Sequence, residues 1–342
     1  MLGGFLGLLA ALTFAFNNAS ARRGVLTGSV AQAMAITVPI GVPIFFITAL
    51  VAGSLPALAS LSSFALLCLT GAGIIHFVFG RYCNYRGTKA MGANLVGPVQ
   101  QVSLPLTLGL AIWILGETLT PLRLIGIVLV VLGPMLTLPG KERGAKTLNA
   151  AASPAAGEPP AVRTTREIPR FEPNYAEGYI WAFLSAVGYG VSPILVTLGL
   201  QHKNLGVSLV GGLVAYAAAT VVTFLILLWP GQIRHVLSMR ANNARWFTLS
   251  GVLVCLSQMF LYMGYTIAPV SVVTPIQRLS NVFRLYTGWL INRDHEEFGG
   301  AVIIGTIVSL VGALALSVST EVVLAYVPLP DAIVAIAHWH WP

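Results

Sequence analysis

The residues best suited to chemistry lie in an apolar stretch late in the chain, 270–291. Gln277, Asn281 and Arg284 stand at positions i, i+4 and i+7, so a continuous helix would carry them as one polar stripe, with Arg278 beside it. A charged side chain inside a membrane is costly and by default marks a functional site. A guanidinium binds a carboxylate or phosphate through two parallel hydrogen bonds. The stripe therefore predicts an anion-binding position in a cavity.

The same two arginines also have a structural interpretation, which the residues alone leave open. Long basic side chains can reach the membrane surface, or donate to carbonyls that Pro98 and Pro275 would free in broken helices. No acid is placed to neutralise them, because all eleven Asp and Glu residues lie in loops, in a linker, at helix ends or in the tail. Proton-coupled export of cationic drugs requires a carboxylate within the membrane, so this function is disfavoured.

A second set of polar residues lies in the first half of the chain. Asn94 and Gln101 flank Pro98 at i and i+7, where amides could bind a zwitterionic or hydroxylated substrate or merely join helices. His76 is the one histidine inside an apolar stretch. It could relay protons, since histidine titrates near neutral pH, but a histidine bonded to a neighbouring carbonyl is the simpler interpretation.

These polar positions are exceptions in a very apolar chain. Of its 342 residues 56% are hydrophobic and 9% are charged, whereas a soluble domain carries about 25% charged residues. A membrane about 30 Å thick needs roughly 20 apolar residues per helix. Ten segments, called spans here, meet this requirement: 2–20, 30–53, 62–82, 91–115, 120–138, 177–199, 207–229, 246–267, 270–291 and 299–318. The sequence predicts an all-α polytopic membrane protein.

The chain repeats itself. A shift of 177 positions places residues of the first half on identical residues of the second: Tyr85 on Tyr262, Gly87 on Gly264, Pro98 on Pro275, Gln100 on Gln277 and Ser103 on Ser280. The repeat favours a structural role for the Gln100 and Gln277 pair. Five spans per half is an odd number, so the second half enters the membrane from the opposite side. Such inverted repeats are typical of secondary transporters.

Composition divides the chain into two halves, a linker and a tail. The predicted parts are a first half (1–138), a flexible linker (139–176), a second half (177–318) and an interfacial tail (319–342). The linker is rich in proline and mixed charge and has no periodicity. The tail is too short and too interrupted by proline to span, and its tryptophans suit a membrane interface.

Loop charges indicate the orientation. Fifteen of the nineteen Lys and Arg residues, including Arg81, Arg86 and Lys89 after span three, fall in the loops that follow odd-numbered spans. Because cytoplasmic loops are enriched in basic residues, these loops are predicted to be cytoplasmic and both termini external. Arg81, Arg86 and Lys89 are accordingly predicted at the cytoplasmic edge.

A family resemblance lies in the stretch from Phe79 to Gly133. It contains Pro98, the run Leu115-Gly116-Glu117-Thr118-Leu119-Thr120, and Gly126 seven residues before Gly133. This pattern resembles the EamA-type repeat of the drug/metabolite transporter superfamily. The second copy departs from it at Asp294-His295-Glu296-Glu297. The resemblance implies ten helices in two inverted five-helix halves and transport of small polar metabolites. It also implies cytoplasmic termini, which is the opposite of the orientation that the loop charges predict.

Together these features predict a secondary transporter in the cell membrane that moves small anionic or zwitterionic metabolites, such as amino acids or their derivatives. The alternative is a translocator of a phosphate-bearing lipid or sugar conjugate. The sequence contains no HExxH, GxSxG or nucleotide-binding glycine loop, so an enzyme is not expected. No cofactor or metal is expected. The predicted partners are a small-molecule substrate and the bilayer, without nucleic acid, and a homodimer is left open.

Overall fold

The computed structural model describes residues 2–91, 96, 99–100, 102–116, 120–136, 174–200 and 204–292, with positions 304, 307–308, 310–312, 315 and 330. Every element in these ranges is helical. The α-helices are α1 (Leu2–Val25), α2 (Val30–Thr37), α3 (Gly41–Val51), α4 (Ser63–Gly73), α5 (Arg81–Met91), α6 (Ser103–Leu115), α7 (Pro121–Leu136), α8 (Tyr175–Gly199), α9 (Leu205–Leu227), α10 (Gln232–Leu237), α11 (Ala241–Ile267), α12 (Val270–Gln277) and α13 (Ser280–Asn292). A π-helical segment, Ile74–Gly80, joins α4 to α5, and a 3₁₀ turn covers Leu55–Ser60.

Six helical stretches are long and apolar enough to cross a membrane. They are Leu2–Val25, Val30–Val51, Ser63–Ala90, Ala176–Gly199, Leu205–Leu227 and Ala241–Ile267. They confirm predicted spans one, two, three, six, seven and eight. Shorter apolar helices, α6 and α7, lie in predicted spans four and five. Most of predicted span ten, the linker to residue 173 and nearly all of the tail lie outside the described residues.

Two predicted spans are interrupted, one at a proline and one shortly after a proline. Span two breaks between Thr37 and Gly41, at Pro39, and span nine breaks between Gln277 and Ser280, one turn after Pro275. Proline removes a helical N–H and clashes with the preceding turn. Pro193 differs, since α8 continues through it without a break.

The two predicted halves pack against each other. Helix α1 packs against α11, α12 and α13 of the predicted second half, while α8 packs against α4, α5 and α6 of the predicted first half. The close crossing of α4 and α9 requires glycine at position 73. A Cβ on Gly73 would lie 2.1 Å from the carbonyl oxygen of Ala215, so a larger residue would force the two helices apart.

Contacts at the helix ends show how the helices are directed. Arg22, near the end of α1, donates to the carbonyl of Thr88 near the end of α5 at 3.0 Å. The backbone N–H of Asn174, which precedes α8, donates to the carbonyl of Ala90 at 2.9 Å. The C-terminal end of α1 and the N-terminal end of α8 therefore lie at the same end of the bundle, and these two helices run in opposite directions.

The basic loops gather at that same end. Thr27 donates to the Oδ1 of Asn243 at 2.8 Å, which joins the loop after α1 to the start of α11. Glu177 at the start of α8 forms an ion pair with Arg86. The end of the bundle that carries the following residues is called the basic face: Arg22, Arg23, Arg86, Lys89, Arg234, Arg240 and Arg245.

Candidate functional site

His76 lies at the centre of a polar cluster built by three spans. It belongs to the π-helical segment, a local irregularity that often occurs at functional sites. Its Nδ1 lies 2.5 Å from the Oγ of Ser192 on α8, and its Nε2 lies 3.1 Å from the Nε2 of Gln258 on α11. Its ring also packs against Tyr189, with centroids 4.6 Å apart. The partners of His76 are thus side chains of other helices rather than the neighbouring carbonyl of the simpler interpretation.

The hydrogen bonds define the state of the imidazole. An amide nitrogen only donates, so Gln258 donates to the Nε2 of His76 and the ring donates from Nδ1 to Ser192. This is the neutral tautomer. The ring is half-buried although it points between helices, whereas the next two residues, Phe77 and Val78, are buried.

Arg278 lies beside this cluster, at the break between α12 and α13. Its backbone N–H donates to the carbonyls of Thr274 and Pro275, and its side chain is 7% exposed. Its charge lies within electrostatic range of Tyr189, Tyr265 and the ring of His76. Among the described residues its Nε has no hydrogen-bond partner. A buried guanidinium in this condition favours an incoming anion.

The break divides the polar stripe that was expected in span nine. Gln277 is the last residue of α12, and Asn281 and Arg284 lie beyond the break on α13. A stripe at i, i+4 and i+7 needs a continuous helix, and a turn at Arg278 and Leu279 interrupts this one, so a common face for the three residues stays a prediction. Gln277 and Arg284 are both buried.

Arg284 lies on a different face from Arg278. Thr287, three residues after Arg284 and so on the same side of α13, donates to the carbonyl of Ala15 on α1 at 3.2 Å. That face packs against α1, whereas Arg278 lies near Tyr189 of α8. The structure therefore places Arg278 within electrostatic range of His76, while the side of α13 that carries Thr287 packs against α1. Asn94 and Gln101 lie outside the described residues, as do Pro98, Glu117 and Glu296.

Arg81 was predicted at the cytoplasmic edge, and this prediction is wrong. Its side chain is 3% exposed within the bundle. It donates to the carbonyl of Thr37 at 2.8 Å and to the hydroxyl of Tyr216 at 3.2 Å, with the Phe77 ring 5.1 Å away. The physical reason is helix length, since span three continues to Met91 and leaves Arg81 well inside. Thr37 ends α2, where a cation complements the helix dipole and the carbonyls that have no helical partner.

Gln100 has the structural role expected for it. It donates to Asn84 of α5 at 2.9 Å and to Ser185 of α8 at 2.8 Å. Asn17 is similar, because its Oδ1 accepts from Ser250 at 2.6 Å and joins α1 to α11. These contacts hold the helices that surround the cluster.

Four residues of the central region were missed by the sequence analysis: Arg81, Tyr189, Ser192 and Gln258. One available signal was the repeat, since the shift of 177 places Arg81 on Gln258. Another was the proximity of Tyr189 and Ser192 to the in-span Pro193. In the described part of the chain, no group of three or more His, Cys, Asp or Glu residues could hold a metal ion.

Comparisons with known proteins concern the family and the fold. Residues 1–138 match the profile of the EamA-like transporter family. One crystal structure of a protein matches with a TM-score of 0.60 and 16% identity, over 92% of this chain and 95% of that one. At this identity the likeness shows the fold alone. No curated protein matches the chain.

Proposed function

We propose, with the EamA-like transporter match of residues 1–138 as premise, that this multi-pass membrane protein is a secondary transporter of small anionic or zwitterionic metabolites, such as amino acids or their derivatives. Substrate would reach the central cluster from either side by alternating access. The observation that supports an anionic or zwitterionic substrate is the buried Arg278, which has no acid paired to it in the described residues.

The proposed architecture is ten helices in two inverted five-helix halves, 1–138 and 177–318, joined by a flexible linker. Two observations support it. The first helices of the halves, α1 and α8, run in opposite directions. Each also packs against the third and fourth spans of the other half, so the contacts recur with the halves exchanged.

The arginines favour a single carboxylate over a phosphate. Arg81 is already bonded to Thr37 and Tyr216, and Arg284 lies on the face that packs against α1. Arg278 is thus the guanidinium available near His76. A phosphate group usually recruits several basic side chains. The phosphate-bearing lipid or sugar conjugate therefore remains the second candidate, to be included in the test.

The rest of the cluster suits the other end of a zwitterion. Ser192, Tyr189 and Gln258 offer hydroxyl and amide groups around His76 without a formal negative charge. We propose that they, with Gln277, Asn281, Asn94 and Gln101, line the path of an amino or hydroxyl group. In this proposal Arg278 fixes the carboxylate, and Arg284 acts at the margin of the path.

A ligand-stabilisation screen tests the proposal. Purified protein would be melted with amino acids, dicarboxylates, organic cations and sugar phosphates, and the stabilising compounds then tested for uptake into proteoliposomes. We expect an anionic or zwitterionic compound to raise the melting temperature, and Arg278→Gln to weaken its binding about 10- to 100-fold, as expected for a charge-assisted contact.

The matched control is Arg245→Gln, which removes an exposed charge on the basic face and should bind as the parent does. Stabilisation of the parent and of Arg278→Gln by the same cations would show that the arginine is structural. Stabilisation by sugar phosphates alone would favour the second candidate.

A further inference from the structure

An apolar groove lies where α9 meets α10, away from the central cluster. Its volume is about 530 Å³, and Val221, Phe224 and Leu228 line one side, with Ile233, Val236 and Leu237 on the other. Leu228 is 67% exposed and Leu237 is 79% exposed. Because this end of α9 is the end of a membrane span, the open side of the groove faces lipid.

Helix α10 is fixed to the bundle by its polar groups. The carbonyl of His235 accepts from Gln32 at 3.0 Å, and its Nε2 lies 2.8 Å from the Oγ of Ser29. Ile233, Val236 and Leu237 stand at i, i+3 and i+4, so they share the side of α10 that lines the groove. The groove is therefore a built feature held by hydrogen bonds on the opposite side of the helix.

The charge around the groove is positive. Residues 228–245 include Arg234, Arg240 and Arg245, all exposed, and contain no Asp or Glu. Among the described residues, Glu177 forms an ion pair with Arg86, and these three arginines have no carboxylate partner. Trp229 is 73% exposed, as suits a side chain at the membrane–water interface. An apolar groove beside arginines that have no carboxylate partner suits a ligand with an apolar chain and a negatively charged head.

We propose that this groove binds one acyl chain of an anionic phospholipid and that Arg234 and Arg240 bind its phosphate. Lipid tails are as apolar as the groove, so burial of the chain gives little preference for any lipid. Selectivity comes from the headgroup, because basic residues near the membrane surface attract anionic lipids. The site is separate from the proposed transport path and does not depend on the substrate.

Native mass spectrometry of the purified full-length protein tests this site. The probes are phosphatidylglycerol and phosphatidylcholine with identical acyl chains. We expect the parent to retain phosphatidylglycerol preferentially. Arg234→Gln and Arg240→Gln should each weaken its retention about fivefold, while phosphatidylcholine is unaffected. Val236→Trp fills the groove and should remove one bound lipid of either kind.

Two variants serve as controls. Arg123→Gln removes a basic residue at the start of α7, and Leu67→Trp enlarges a side chain on α4 that is 70% exposed. Both should retain lipid as the parent does. Equal retention of the two lipids by the parent would overturn the proposal, as would an unchanged preference in the double arginine variant. A higher melting temperature for Val236→Trp with lipid retention unchanged would also overturn it, and would indicate that another segment of the chain fills the groove.

Discussion

At the scale of single residues, the buried arginines differ in what they contact. Arg81 has a backbone carbonyl, a hydroxyl and an aromatic ring around its guanidinium. Arg278 is equally buried, but its Nε has no partner among the described residues. A buried charge that is fully bonded stabilises a particular packing, whereas one that is not fully bonded is available to a ligand. We therefore expect substitution of Arg81 to affect mainly stability, and substitution of Arg278 to affect mainly binding.

The Arg81→Gln variant should be markedly less stable. It loses the bonds to Thr37 and Tyr216, and hydrogen bonds to charged groups are worth about 1.5–3 kcal/mol each, so we expect a loss of about 3 kcal/mol. Thermal unfolding in detergent measures it. The control is the exposed Arg245→Gln, which should change stability by less than about 0.5 kcal/mol. Equal melting temperatures for both variants would contradict the capping role of Arg81.

The site was predictable only in part, for physical reasons. Arg278 and His76 could be selected because a charged or titratable residue in an apolar span is conspicuous. Ser192 and Tyr189 could not, since hydroxyl residues are common in spans and only the packing of α8 brings them to His76. Arg81 was misplaced because its span was drawn too short. The sequence identifies charged and polar residues that are energetically unfavourable in a membrane, but it does not reveal which of them already have hydrogen-bond partners.

At the scale of elements, apolar length predicts helices better than it predicts their interruptions. The six long spans follow from composition, and the break at Pro39 follows from proline geometry, whereas the break in span nine lies after Pro275, which α12 contains. Pro193 leaves α8 unbroken, and the π-helical segment Ile74–Gly80 contains no proline. Such a segment depends on tertiary contacts, here of His76 and Phe77 with other helices, so local sequence gives no signal for it.

The proline of α12 should be necessary for transport. Pro275→Ala restores a backbone N–H within α12 and removes the clash of the ring with the preceding turn, which would shift Arg278, three residues later, relative to α8. We expect the variant to be at least as stable as the parent, because proline in a helix interior is unfavourable. Its transport rate in proteoliposomes should be about tenfold lower, as expected for a displaced binding group.

Pro105→Ala is the matched control for Pro275→Ala. Pro105 lies in the first turn of α6, where its missing N–H has no helical partner to lose, so the substitution should leave transport unchanged. If Pro275→Ala transports at the parental rate, the position of Arg278 does not depend on this proline. In that case the proposed role of Pro275 is wrong.

At the scale of the whole molecule, the proposed repeat can be compared with the observed packing. The shift of 177 predicts two halves, and α1 and α8 each pack against helices of the other predicted half. Neither half encloses the cluster alone, because His76 comes from the first half and its partners Ser192 and Gln258 from the second. In the proposed mechanism, movement of one half relative to the other would remake the contacts of His76.

The basic face should be cytoplasmic. Its loops are enriched in Lys and Arg, and the positive-inside rule predicts that such loops lie in the cytoplasm. The burial of Arg81 lowers the number of basic loop residues by only one. Substituted-cysteine labelling in cells measures the orientation, after replacement of the buried Cys68, Cys83 and Cys255 by alanine. With a membrane-impermeant maleimide, Ser60→Cys should react in intact cells.

The paired position is Ser238→Cys, which follows α10 on the basic face and is exposed, as Ser60 is. It should react only after the membrane is permeabilised. The reverse pattern would place the termini in the cytoplasm, as the family resemblance implies, and would mean that loop charge does not determine orientation here. Because α1 and α8 run in opposite directions in either case, the reversed result would alter the predicted sidedness and leave the inverted arrangement of the two helices intact.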